Sequence, residues 1–232
     1  MRFQTLTTFA SLSGLTVVLA FAGQATAAPI WDVTTLTSDG SNIDTSGVID
    51  TPFAFNIDHD SDPDDATVNG ILFTGFPGSQ SPAPVSVTSG MLTITDNDTL
   101  EDATGATNGT GDDYNTSFSI IMDEYYQTSG SGAMNNPDFG PIVIAIDSLT
   151  VGQPYRLQML HDTEVESDRG QKMIFDNGTG TPIESAEFFT SRDALGKISS
   201  IDFVASQTTH EFEVFATDGR GQLNGIVLQT VI

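Results

Sequence analysis

Along much of the chain, large apolar residues recur at every second position. Phe53, Phe55 and Ile57 alternate with Ala54 and Asn56, Leu92 and Ile94 alternate with threonines, and Ile142, Ile144 and Ile146 alternate with Val143, Ala145 and Asp147. The same period runs through Tyr155, Leu157 and Met159, through Ile201 and Phe203, and through Phe212 and Val214. Successive side chains of a strand point to opposite faces, so this pattern marks strands with one face on a core. Residues 68–74, 173–176 and 184–189 read as further strands, and 223–232 is apolar on both faces, as a central strand is. Roughly ten to twelve short strands, separated by turn residues such as Asp218-Gly219, predict a mainly β fold, a two-sheet sandwich. Phe53, Phe55, Ile144, Leu157, Phe203, Phe212 and Val227 are the expected core.

One segment breaks the period. Tyr114, Phe118, Ile121, Met122 and Tyr125 share one helical face, Asp112 and Asp113 precede them as cap candidates, and Gly130 can end the run. The spacing predicts one short helix near 112–126; a strand through Phe118, Ile120 and Met122 is the rival reading.

The N-terminus reads as an export signal. Arg2 supplies the positive start, residues 9–22 are apolar or small and uncharged, and Ala25-Thr26-Ala27 fits the small-x-small cleavage rule. The apolar run is shorter than the roughly 20 residues a spanning helix needs. The expected product is a soluble single domain of residues 28–232, secreted to a periplasm or beyond the cell. The chain has no cysteine, which excludes a disulfide framework, a zinc–thiolate site and a thiol nucleophile.

Charge narrows the partners. The chain holds 31 Asp and Glu against 7 Lys and Arg, for a net −24, and residues 28–155 contain 19 acids and no Lys or Arg. Such a surface repels phosphate backbones and anionic lipid, so nucleic acid and membrane insertion are not expected. With 38% hydrophobic residues and 15 Phe, the chain is too apolar to be wholly disordered.

Candidate chemistry is concentrated in the acids. Asp58, Asp60, Asp62 and Asp64 alternate within one stretch, and alternate carboxylates can converge on Ca²⁺, which takes six to eight oxygens. The stretch is not an EF-hand: Pro63 stands where its glycine belongs, and Asn69 where its last glutamate does. A solvated acidic loop is the alternative. The acidic segment from Asp96 to Asp113 is a second calcium candidate or a mobile loop. Sequons such as Asn177-Gly178-Thr179 arise by chance in a chain this rich in Asn, Gly and Thr. Catalytic motifs are absent: no Gly-x-Ser-x-Gly, no His-Glu-x-x-His and no phosphate-binding loop. Asp162, Glu164, Glu166 and Asp168 imitate a glycosidase carboxylate pair but read more simply as a solvated loop. For carbohydrate, Trp31, Tyr125 and Tyr126 are candidate platforms, and Arg169, Arg220 and Asn224 candidate polar contacts; Arg169 and Arg220 sit beside glycines. The rival view makes Trp31 and one of the tyrosines core residues and pairs the arginines with local acids.

Four stretches resemble a known group: Val68-Asn69-Gly70-Ile71-Leu72-Phe73, Asp113-Tyr114 through Tyr125-Tyr126, Leu149-Thr150-Val151-Gly152-Gln153-Pro154-Tyr155-Arg156-Leu157-Gln158, and Leu223-Asn224-Gly225-Ile226-Val227-Leu228. They are similar to the jelly-roll domains of exported bacterial proteins of the PEP-CTERM type, themselves similar to galactose-binding-like and malectin-like modules. The resemblance implies a jelly roll and, by analogy, sugar binding. The leading expectation is a secreted, non-catalytic module for extracellular glycan with calcium-ordered acidic loops. The alternatives are an acidic structural or matrix protein with no specific ligand and a glycoside-active enzyme.

Overall fold

The computed structural model describes residues 28–57, 65–76, 85–96, 116–122, 126–127, 141–163, 169–178, 180–191 and 194–232. Residues 1–27, where the export signal is expected, Asp58, Asp60, Asp62, Asp64, Tyr125 and most of the 96–113 segment lie outside these residues. No helix among the described residues is long and apolar enough to cross a membrane.

The chain builds two sheets. The first contains β1 (Trp31–Thr35), β13 (Lys197–Val204), β9 (Pro154–His161), β16 (Gly225–Val231), β2 (Val48–Ile57), β4 (Ile71–Phe76) and β3 (Ala66–Val68), in that spatial order. The second contains β11 (Ile183–Glu184), β10 (Arg169–Asp176), β14 (His210–Asp218), β8 (Ile142–Ile146), β6 (Leu92–Asp96) and β5 (Val85–Ser89), with β12 (Phe188–Thr190) also paired to β10. A small third pairing joins β7 (Tyr126–Gln127) to β15 (Gln222–Leu223). Neighbours are antiparallel except β2 and β4. From β8 onward the long strands alternate between the sheets, β8, β10 and β14 in the second and β9, β13 and β16 in the first. This is the winding of a jelly roll, and it makes the fold a mainly β sandwich with one short helix.

The inward faces meet in the main core. Phe53, Ile144, Leu157, Phe203, Phe212, Ile226 and Leu228 are buried there, with Phe55 half-buried against them. Phe175 and Phe212 stack at 4.6 Å between ring centres, and Phe203 meets Phe212 edge-on at 5.4 Å. A second apolar cluster lies on the opposite side of the first sheet. Ala54, Leu160, Ile198 and Val227 turn outward and are covered by Leu36, Ile43, Val68, Phe73 and the helix α1 (Thr116–Met122). Phe118, Ile121 and Met122 of α1 are fully buried, so its apolar face packs as the spacing predicts. β16 lies between β9 and β2 and is therefore apolar on both faces.

Residues 68–74 are not one strand. Asn69 (φ 48°) and Gly70 (φ 78°) form a two-residue turn that folds β3 back on β4. Both turn residues adopt the left-handed conformation that this tight connection demands. Asn69 also donates its side-chain amide to the Ile43 carbonyl at 2.8 Å, tying the turn to the covering layer.

Candidate functional site

The first site-forming feature is the end of the sandwich where β2 stops at Ile57, β9 at His161, and β10 begins at Arg169. The acidic segments 58–64, 97–115 and 164–168 are joined to strands that end or begin here; they carry twelve of the chain's acids and no Lys or Arg.

Beneath this end lies a buried polar network. His161 donates from Nδ1 to the Gln222 carbonyl at 2.7 Å, which leaves Nε2 to accept from the Ser199 hydroxyl at 2.8 Å. Burial pushes the imidazole pKa down to about 4, against the hydrogen bond to Gln222, so the ring is neutral at pH 7. Gln222 donates its backbone N–H to Gln171 and its side-chain amide to Thr163, and accepts from Thr190. The Ser199–His161 pair has the spacing of an activated serine, yet both residues are completely buried. Their bonds pin strands together.

Above the network, on the outer face of the second sheet, the surface is different. Phe189 and Phe215 are 45% and 37% exposed. They stand on β12 and β14, on either side of β10, with Phe189 paired to Gly170 and Phe215 to Lys172, so their backbones are two inter-strand steps across and two residues along the sheet, about 12 Å apart. Gly170 lies beside Phe189. A Cβ there would stand 2.9 Å from Cε1 of Phe189 and 2.7 Å from the Thr217 hydroxyl, so the Phe189 ring rests against bare backbone. Lys172 reaches over Phe215, its Nζ 5.3 Å from the ring centre, and donates to Glu184 at 2.7 Å. Glu213 shares this face, and partial burial, together with Glu211 and Asp176, raises its pKa. The result is a flat strip of two aromatic rings bordered by hydrogen-bonding groups of both signs.

Of the anticipated ligand residues, several gather at this end. The Arg169 side chain lies across Gly219; a Cβ at that position (φ 76°) would come 2.6 Å from its Nη1. Arg169 therefore packs on the turn that carries Arg220. The Tyr126 backbone pairs with Leu223 at the same end. Two residues take other roles. Trp31 is buried, donates Nε1 to the Ile183 carbonyl at 3.0 Å and meets Phe212 edge-on, so it clasps the edges of the two sheets instead of facing a ligand. Asn224 is fully buried; it accepts from the Asp162 N–H at 2.7 Å and donates to the Met122 carbonyl, which makes it an internal tie. A buried ring or amide with its hydrogen bonds committed inside the fold cannot reach a surface ligand.

Phe189 and Phe215 were not among the anticipated contacts, although the pattern held their signal. In the pair Phe188-Phe189 only one ring can face inward, and Phe215 is out of phase with the inward Phe212 and Val214. Among the described residues no group of three or more His, Cys, Asp or Glu is placed to hold a metal ion.

No family model and no curated protein matches the sequence. Among solved structures the chain is similar to part of a Bacteroides uniformis β-glucuronidase 2 covalently bound to cyclophellitol-6-carboxylate aziridine, with 12% identity, 78% of this chain covered and a TM-score of 0.48. It is also similar to part of a Bacteroides uniformis β-glucuronidase, with 14% identity, the same share of this chain covered and a TM-score of 0.45. The match spans 18% of each of those chains.

Proposed function

We propose that this protein is an exported, non-catalytic binding module for extracellular carbohydrate, and that the outer face of its second sheet is the docking surface. The observation that supports the reading is the pair of exposed rings, Phe189 and Phe215, set on a rigid sheet. Sugar rings present C–H groups on one face and hydroxyls around the rim. Aromatic rings cover the first, and Lys172, Glu184 and Glu213 supply donors and acceptors for the second. Exposed aromatic residues cost solubility, so two on one face call for a partner. Calcium at Asp58, Asp60, Asp62 and Asp64 belongs to the same reading: the donors are all hard oxygens, and a divalent ion would relieve their mutual repulsion.

Affinity electrophoresis against a panel of neutral polysaccharides, with and without chelator, tests both parts. The expected result is retardation by at least one polysaccharide that is lost in Phe189→Ala/Phe215→Ala. Retention of binding by that variant would remove the face from the proposal, and no retardation by any polysaccharide would favour the acidic structural reading. For calcium, the melting temperature at fixed ionic strength is expected to rise with Ca²⁺ far more than with Mg²⁺, and Asp60→Asn/Asp62→Asn to abolish the difference. Equal effects of the two ions would leave only screening.

A further inference from the structure

A concave region lies at the opposite end of the molecule, lined mainly by the first sheet. It is a groove of about 710 Å³, within the size range of small-molecule sites. Its two walls differ in chemistry. One wall is aliphatic: Ile30, Val204 and Ile232 are 76%, 36% and 91% exposed, and the groove runs inward from them to Phe203. Among the described residues no packing covers these three large aliphatic side chains.

The other wall is an ion triad. Arg156 donates from Nε and Nη2 to the two oxygens of Asp202 at 2.7 and 2.9 Å, and from Nη1 to Asp44 and to the Ser46 carbonyl. The guanidinium is thus committed to the protein and only 14% exposed, while the carboxylates of Asp44 and Asp202 are about half exposed. Each carboxylate has about four lone-pair sites, so both keep acceptor capacity toward the groove. The Asp202 hydrogen bonds raise the Arg156 pKa, and although burial pushes the Asp44 carboxyl up, hydrogen bonds from Ser46 and the Arg156 charge hold it below its usual value. Asp32 adds a third carboxylate to the lining.

We propose that this groove is a binding site for a primary alkylammonium: the cationic head donates to Asp44 and Asp202, and the alkyl chain lies along Ile30, Val204 and Ile232. The head replaces water on carboxylates that Arg156 already holds in place, and the tail covers an aliphatic wall now facing solvent. A carboxylate or phosphate head is rejected, because it would face the carboxylates of Asp32, Asp44 and Asp202 while the Arg156 side chain is only 14% exposed. The site is separate from the aromatic strip and does not depend on it.

Isothermal titration of the protein with n-hexylammonium chloride tests the assignment, with 1-hexanol, sodium hexanoate and sodium chloride as matched controls. The expected outcome is saturable one-to-one binding of the ammonium, at least tenfold weaker binding of the alcohol, and none of the carboxylate. Shortening the chain from hexyl to butyl should weaken binding in the native protein but not in Val204→Ser/Ile232→Ser, whose substitutions are at exposed positions. Asp202→Asn should lower affinity at least tenfold. An arm with Nα-acetyl-lysine methylamide separates a free amine from a lysine side chain as the source of the head group. Equal binding of hexanol and hexylammonium, or a response to hexylammonium that sodium reproduces, would overturn the proposal.

Discussion

The two sheets share one core but treat their outer faces in opposite ways. The first sheet is roofed: Ala54, Leu160, Ile198 and Val227 lie under α1, the 36–43 segment and β3. The second sheet carries no such roof among the described residues, and its outward positions include Thr93, Thr95, Lys172, Glu211 and Glu213, with Phe189 and Phe215 exposed among them. The roofed apolar side chains on the first sheet's outer face are therefore explained by stability, whereas Phe189 and Phe215 on the second are not. Function is better sought where apolar surface is left unburied than where it is abundant.

The largest test of this contrast is truncation on each face. Phe118→Ala, in the roof, should destabilise by about 3–5 kcal/mol, the range for a fully buried aromatic. Phe215→Ala should cost less than about 1 kcal/mol, as exposed substitutions do. Urea denaturation of the two variants measures the gap, and similar losses would show that the faces do not differ.

Acid probes the layer between the faces. His161 has a folded pKa of about 4 against an ordinary 6.5, so the unfolded chain takes up a proton that the folded chain refuses. The associated stability is complete above pH 6.5 and is lost as pH falls toward 4, amounting to about 3 kcal/mol at the lower limit. His161→Gln should flatten that part of the stability–pH curve; an unchanged slope would mean that other groups set it.

Glycines give a matched pair of smaller effects. At Gly225, under the roof, a Cβ would stand 3.0 Å from both Ile121 and Leu160, so Gly225→Ala should cost about 1–3 kcal/mol by overpacking. At Gly170, on the second sheet, a Cβ would stand 2.7 Å from the buried Thr217 hydroxyl, 2.9 Å from Cε1 of Phe189 and 3.1 Å from Cβ of Asp218, so Gly170→Ala displaces the exposed Phe189 ring. Its expected signature is weaker glycan binding together with a lowered melting temperature. The smallest effect belongs to Glu213. Its raised pKa means that the folded state resists ionisation, so stability falls as pH rises through the carboxylate range. Glu213→Gln should raise the melting temperature slightly at pH 7 and not at pH 3.

Strand periodicity was legible wherever one face meets the main core, as at Phe212 and Val214 or Leu157 and Met159, because burial on one side imposes the period directly. It misled at residues 68–74, where Val68, Ile71 and Phe73 all pack into the roof and the apolar run hides the Asn69-Gly70 turn. The short helix was legible from Phe118, Ile121 and Met122. The polar interior was not. Gln158, Gln171, Gln222 and Asn224 look like surface residues in a sequence, and only their long-range partners explain their burial. The same blindness made Trp31 a candidate platform. Whether a lone tryptophan faces water is decided by a partner 152 positions away, the Ile183 carbonyl.

The central place of β16 has a consequence for how the chain comes into being. Its seven residues join β9 to β2 in the middle of the first sheet, and they follow β2 in the chain at long range. Until β16 pairs, β9 and β2 have unfilled edges, the roof has no Val227 beneath it, and the two halves of the sheet are unconnected. The pairings that close the gap run from Gly225–Asn56 to Val231–Val48, 169 to 183 positions apart (225 − 56 and 231 − 48), and contacts so distant form slowly and leave open strand edges exposed in the interval.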